Sequence, residues 1–465
     1  MNHQLNHFSW IAIFCCTISV TKAQNSKPNI VFILADDLGW GDLHCYGHPY
    51  AKTPALDKLA TEGTRFERFY VTGITSCPSR TGFMTSRHPA SYPKYMANYG
   101  FDGKTTVTEI FKQNGYTTGH FGKWHIGPET KENPVQDGTY GIDEIGVIGG
   151  NYSSEGGRDA DLFEAATKFI EKNKDKPFYV NIWGHISHYE VDPVVSVVGP
   201  FKDVQVKRSD FGEHMQSQFD DCEKLGGNIE QSMRNYLGDV YSLDVQIGRL
   251  MKKLDELGLR KNTIVIFSSD QGPAPVIVPG HAAKGKNDII GENTGVNPSE
   301  NMLGYAGIFR GRKHTQFEGG VRSPFIIRWP GYIPANKLNK TSIVSGIDYL
   351  PTLCSMAGIQ IDNKQFEGED MSDVLKGGNG QRTTPLFWRT SAAKGKASML
   401  DGNWKLHQQG NGYVLYDLSV DPKELNDVAN NYPEKVKELK QKMEQWVSTL
   451  PASYLKGEKG NKTED

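Results

Sequence analysis

Residues 29–34 read NIVFIL, an unbroken apolar run rich in β-branched side chains. A strand of this composition is buried on both faces, so it belongs inside a sheet that helices cover on each side. The run ends at Ala35-Asp36-Asp37, with two adjacent carboxylates at the strand's C-terminal edge. Charges there are costly unless a cation or hydrogen-bond donors compensate them. That edge is also where open α/β sheets place their ligands. The competing reading is a polar turn in which Asp37 acts as a cap.

The same texture recurs along the chain. Strands are expected over residues 65–71, 116–121, 178–183, 263–268 and 325–329. Helices are expected between them. Thr53-Pro54 opens one with a capping Thr and Pro at its first position, and Gly63 ends it. Thr106 and Glu109 have capping-box spacing, and Gly115 closes that helix. Residues 160–173 place Leu162, Phe163, Ala166 and Phe169 on one side of a helix. A long helix spans 231–257, and another starts at residues 348–352. Residues 191–229 read as irregular. The pattern predicts an α/β fold, a large domain with a mostly parallel central sheet flanked by helices. A glycine-rich linker over 377–382 separates it from a smaller C-terminal α+β domain. Its antiparallel strands are expected at 386–389, 397–400, 405–408 and 414–417, with a helix over 433–450. The domains are drawn at 24–375 and 376–465.

Residues 1–23 carry an apolar run from Phe8 to Val20 followed by Thr21-Lys22-Ala23, which reads as a secretory signal cleaved near Ala23. The run is shorter than the ~20 residues of a spanning helix. The alternative is a membrane anchor. Export implies a periplasmic or secreted protein with no membrane association after cleavage. A formal net charge of −2 gives no general attraction to nucleic acid, so an anionic substrate needs a local cluster of cations. Cys45, Cys77, Cys222 and Cys354 show no CxxC spacing, which speaks against a zinc site. An oxidising compartment allows one or two disulfides among them.

Residues 74–87 read ITSCPSRTGFMTSR. Pro78 suits the first position of a helix. Residues 76 and 80 then lie one turn apart, so Arg80 can support the group at 76. A nucleophile at a helix N-terminus also meets the positive end of the dipole. The stretch resembles the signature of the formylglycine-dependent (type I) sulfatases of the alkaline phosphatase-like superfamily. There, Cys or Ser, any residue, Pro, Ser and Arg are followed by Thr-Gly-Arg. Only Ser76 satisfies the spacing to both Pro78 and Arg80, which leaves Cys77 as the variable position; Ser86 replaces the family's Gly. The resemblance implies a serine-type enzyme in which a maturation enzyme oxidises Ser76 to formylglycine, whose hydrate is the nucleophile.

Other segments extend the resemblance. In GKWHIG (122–127), Lys123 matches a sulfate-binding Lys and His125 a nucleophile-facing His. In HISH (185–188), His188 matches a substrate-contacting His; Ser187 replaces the usual Pro, and His185 competes for the role. Asp270-Gln271-Gly272 follows a strand where the family has Asp with Asn or His. Lys313, within residues 304–322, matches a second sulfate-binding Lys. The resemblance makes Asp36, Asp37, Ser76, Asp270 and Gln271 ligands of Ca2+, with Mg2+ as the alternative; oxygen-only donors suit such hard cations. It implies a sulfatase, expected to act from the chain end on sulfated oligo- or polysaccharides. Residues 139–152 and 191–229 are expected around the pocket mouth. Two other readings stand beside it: a phosphatase, phosphodiester or phosphonate hydrolase of the same superfamily, and a non-catalytic sulfated-glycan binder should Ser76 stay a serine.

Overall fold

The computed structural model describes Met1 and residues 27–451, except 95, 128–134, 147–152, 155, 189–190, 192, 225–226, 277–302 and 390–396. The expected signal segment therefore lies outside the described residues, as does part of the 139–152 loop. A central sheet is built from β1 (Asn29–Ala35), β2 (Thr64–Tyr70), β3 (Thr117–Gly122), β4 (Glu144–Gly146), β5 (Phe178–Trp183), β6 (Thr263–Ser269), β7 (Arg322–Arg328), β8 (Lys337–Asn339) and β9 (Val344–Ser345). The strand order is β8-β2-β7-β6-β1-β5-β3-β4, with β9 also on β2. Only β7 runs against its neighbours, β2 and β6; the other pairings are parallel. The expected mostly parallel α/β sheet is present.

Every residue of β1 is buried, and its side chains alternate between two cores, as the pleat requires. Ile30, Phe32 and Leu34 pack with Phe83, Met84, Val107 and Leu350 on one face. Val31, Ile33 and Ala35 pack with Leu56, Leu59, Ala166 and Ile247 on the other. The covering helices are α1 (Pro54–Glu62), α2 (Ser76–Thr85), α3 (Val107–Gln113), α4 (Ala160–Lys172), α6 (Ile229–Glu256) and α7 (Tyr349–Met356), while α5 (Glu213–Lys224) packs in a separate cluster with Phe201, Met233 and Leu237.

The structure departs from expectation at several places. Thr53 does not cap α1; its hydroxyl accepts from the His44 N–H instead. The α1 N-terminus is held by Asp244 of α6, whose carboxylate accepts from the N–H groups of Ala55 (3.0 Å) and Leu56 (2.8 Å). Helix α2 starts at Ser76, two residues before Pro78; Pro78 remains in the first turn, where its missing N–H has no intrahelical partner to lose. Residues 191–229 contain a twelve-residue helix, α5. Its buried Met215, Phe219 and Cys222 follow helical spacing that the polar residues between them conceal. Strand β7 begins three residues early, at Arg322. The capping box at Thr106 is formed as read.

Beyond the linker, β10 (Leu386–Arg389), β11 (Ala397–Asp401), β12 (Trp404–Gln409) and β13 (Gly412–Asp417) form an antiparallel sheet. Helix α8 (Pro433–Thr449) buries Leu439 and Met443 against Met399, Leu406 and Leu415. A buried ion network joins this sheet to the large unit. Lys405 Nζ lies 2.8 Å from Glu318 and 3.5 Å from Glu424, Arg322 pairs with Glu318 at 2.5 Å, and His407 meets Glu424 at 2.7 Å. Among the described residues no disulfide forms: Cys45, Cys77, Cys222 and Cys354 are thiols. No helix of the described residues is long and apolar enough to cross a membrane.

Candidate active site

Parallel register brings the acidic pairs together. Ala35 lies opposite Ser269 on β6, so Asp36-Asp37 and Asp270-Gln271 leave the sheet side by side. Their proximity is tied by the Asp37 N–H, which donates to Asp270 Oδ1 at 3.1 Å. Gly122 lies opposite Trp183, which sets the Lys123 and His185–His188 segments at the same edge.

Helix α2, buried along its whole length, delivers Ser76 and Arg80. The Ser76 hydroxyl donates to Asp36 Oδ1 at 3.1 Å and accepts from Gln271 Nε2 at 3.2 Å. Arg80 makes two contacts to Asp270 Oδ2, at 2.9 Å from Nε and 2.8 Å from Nη2. It also donates to the Lys123 carbonyl at 3.0 Å. Cys77, by contrast, packs in the apolar cluster. At the far end of α2, Ser86 is left-handed, with φ 49°. That conformation favours glycine, which accounts for the family's Gly at this position.

Lys123 Nζ contacts Asp36 Oδ2 at 2.5 Å, and Lys313 Nζ contacts Asp37 Oδ2 at 3.0 Å. His188 Nε2 lies 3.8 Å from Asp37 Oδ2. The His185 ring is engaged elsewhere, 3.0 Å from Asp159 Oδ1. His125 sits in a left-handed conformation, φ 57°, and its Nδ1 has no hydrogen-bond partner among the described residues. The structure thus assembles all the expected residues around one centre and turns His185 away.

Sequence reasoning missed the supports of the 185–188 turn. Asp159 accepts from the N–H groups of His185 (2.8 Å) and Ile186 (3.1 Å). Arg158 donates to the His188 carbonyl at 2.8 Å and pairs with Asp239. These residues come from distant elements, and no local spacing marks them.

Three carboxylates, Asp36, Asp37 and Asp270, face three cations, Arg80, Lys123 and Lys313. Burial raises the Asp36 carboxyl, but Lys123, His188 and Arg80 outweigh it and hold its pKa well below the usual range. Burial and the neighbouring Asp36 charge push Asp270 up to about 7, against the pull of Arg80. Burial, with Lys123 and Arg80, lowers His125 to about 3. Burial and Lys123 take His188 to about 4. Lys313 moves up, because Asp37 and Asp36 outweigh its burial.

The donor set fits a divalent cation. Oxygens of Asp36, Asp37 and Asp270 lie within 4.8 Å of one another, all buried. The Gln271 amide meets the cluster through Nε2, which contacts Asp37 Oδ1 and Ser76 Oγ, so a half-turn of the amide would present its oxygen to a cation there. A divalent cation would tip the balanced cluster positive and favour an anionic ester.

Comparisons with known proteins agree. The Sulfatase family model matches residues 28–359. A second, for the C-terminal part of N-sulphoglucosamine sulphohydrolase, matches residues 304–450. Human arylsulfatase A is 31% identical, over 93% of this chain and 91% of that protein. The N-acetylgalactosamine-6-O-sulfatase of Bacteroides thetaiotaomicron is 28% identical, over 92% of this chain and 95% of that protein. The solved structure of Ps i-CgsB with k-i-k-neocarrahexaose superposes with a TM-score of 0.73 at 22% identity, over 92% of this chain and 95% of that one, a likeness of fold. Similarity running nearly end to end, together with the family model across the large unit, makes this chain a member of the sulfatase family, a sulfuric ester hydrolase of the alkaline phosphatase-like superfamily.

Proposed function

We propose that the chain removes sulfate from sulfated oligo- or polysaccharides, using Ser76 converted to formylglycine and a calcium ion held by Asp36, Asp37, Asp270 and Gln271. The observation that carries this reading is the Ser76 hydroxyl set between Asp36 and Gln271. Formylglycine at position 76 would supply a hydrated aldehyde as the nucleophile, and calcium would supply positive charge for the sulfuryl oxygens. Lys123 and Lys313 bind those oxygens and orient the ester, electrostatic help that is prepaid in a buried site. Lys313, which Asp37 and Asp36 keep protonated, would give the departing alcohol its proton, beside a His188 that burial keeps neutral. His125 is neutral because burial and nearby cations lower its pKa. It is therefore in the form that would take a proton from a hydroxyl carried at position 76. Arg80 anchors Asp270 and positions both partners. The sulfated-glycan substrate draws support from the relatives' names, and the signal read over residues 1–23 would export the enzyme to meet it.

Mass spectrometry of the Ser76 peptide tests the reading: conversion removes two hydrogens. Fully active enzyme with an intact serine would overturn it. Chelation should abolish turnover of an aryl sulfate and calcium restore it; stoichiometric zinc in the active protein would refute the ion.

A further inference from the structure

Beside the loop that carries Lys313 lies a second pocket that the proposed chemistry leaves unused. Its volume is about 260 Å³, and its walls are the start of α5 and residues 305–317. The cations lining it are Arg310 and Arg312, beside His214, whose pKa burial lowers, with no described carboxylate among them. Arg310 is fixed over the Phe317 ring at 4.0 Å and donates to the Glu424 carbonyl at 2.9 Å. Arg312 comes no nearer than 3.9 Å to Asp221, too far for a hydrogen bond. Asp221 in turn has Lys224 at 3.6 Å.

Gln218 supplies a second, independent feature. It lines the pocket and is only 5% exposed. Its Nε2 donates to the Gly304 carbonyl at 2.7 Å, while its Oε1 has no partner among the described residues. Such an acceptor can take a donor from a ligand that reaches the inner wall of the pocket. Tyr305 and Phe317 add aromatic surface. Cations, an open acceptor and aromatic rings together suit a sugar bearing an anionic substituent. The loop serves both places, since Lys313 turns in to Asp37 while Arg310 and Arg312 line the pocket.

We propose that this pocket binds an anionic sugar unit, sulfated or uronic, other than the unit whose ester is cleaved. The proposal rests on the sulfated-glycan reading above, but binding tests it without turnover, so its failure is distinct from an unmodified Ser76. The full chain is titrated by calorimetry with sucrose octasulfate in saturating inorganic sulfate, which fills the Ser76 centre. One equivalent should bind, and Arg312→Glu should weaken it about tenfold or more at unchanged melting temperature. Arg312→Gln takes its place should the charge reversal lower that temperature. Equal affinity in wild type and variant, or no binding once sulfate is present, would overturn the proposal. A sulfated tetrasaccharide that displaces the probe and inhibits aryl sulfate turnover identifies the ligand as part of the substrate chain. Displacement without inhibition identifies a separate saccharide.

Discussion

At position 76 a hydroxyl faces the carboxylates, and at position 77 a thiol faces the apolar core. Ser76→Ala should therefore reduce aryl sulfate turnover to background with the melting temperature preserved. Cys77→Ser should keep activity per folded molecule while losing about 1–3 kcal/mol in urea denaturation, because it places a hydroxyl in apolar surroundings. An inactive but folded Cys77→Ser protein beside an active Ser76→Ala protein would reverse the assignment. Most of the site was legible because its residues occur in short runs with strict spacing. Gln271 was legible only as a departure; the structure sets its amide against Asp37 and Ser76. His185 and His188, three residues apart, could be told apart only by where their rings point.

Helix ends show why local spacing can mislead. Helix α2 stops at Ser86, whose left-handed backbone is paired with a hydroxyl that accepts from the Leu350 N–H at 3.0 Å. Ser86→Gly should stay within about 1 kcal/mol of wild type, trading that bond for an easier backbone. Ser86→Val should cost about 1–2 kcal/mol or more, since a β-branched residue resists this conformation; an unchanged urea midpoint would contradict the geometry. Helix α1 is capped from afar by Asp244, which burial pushes from 3.8 up to about 7, against the pull of the Leu56 and Ala55 N–H groups. A raised pKa means that the folded chain holds the proton more tightly than the unfolded one. The stability it brings is full below about pH 4 and is lost as the pH rises through about 7. Asp244→Asn cannot titrate there. The unfolding free energy of wild type relative to this variant should fall between those limits, and a rise would show an ionised Asp244 held by the helix dipole.

Across the whole molecule, the C-terminal sheet braces the loop that carries Lys313. Arg310 ties the loop to the Glu424 carbonyl, and the Glu318 N–H donates to the Glu424 carboxylate at 2.6 Å. Lys405, fully buried, sits between the two acids. Lys405→Met would leave Glu318 and Glu424 opposed chiefly by Arg322, a loss of about 3–5 kcal/mol for a broken buried network. The loosened loop should also raise KM for aryl sulfate in the molecules that stay folded. A variant with wild-type melting temperature and KM would remove the sheet from any part in placing Lys313.

Apolar runs and short motifs, which act within a few residues, already specified an α/β chain with a mostly parallel sheet, an antiparallel C-terminal sheet and one acidic-basic centre. Tertiary structure decided what depends on pairings between distant residues. Strand register set Asp37 against Asp270, 233 positions away, and packing chose His188 over His185 for the centre. Long-range hydrogen bonds made Asp244 rather than Thr53 the cap of α1 and put Arg158 and Asp159 under the histidine turn. Such contacts leave no periodicity in the chain, because each partner is ordinary in its own segment and acquires its role only when the sheet closes.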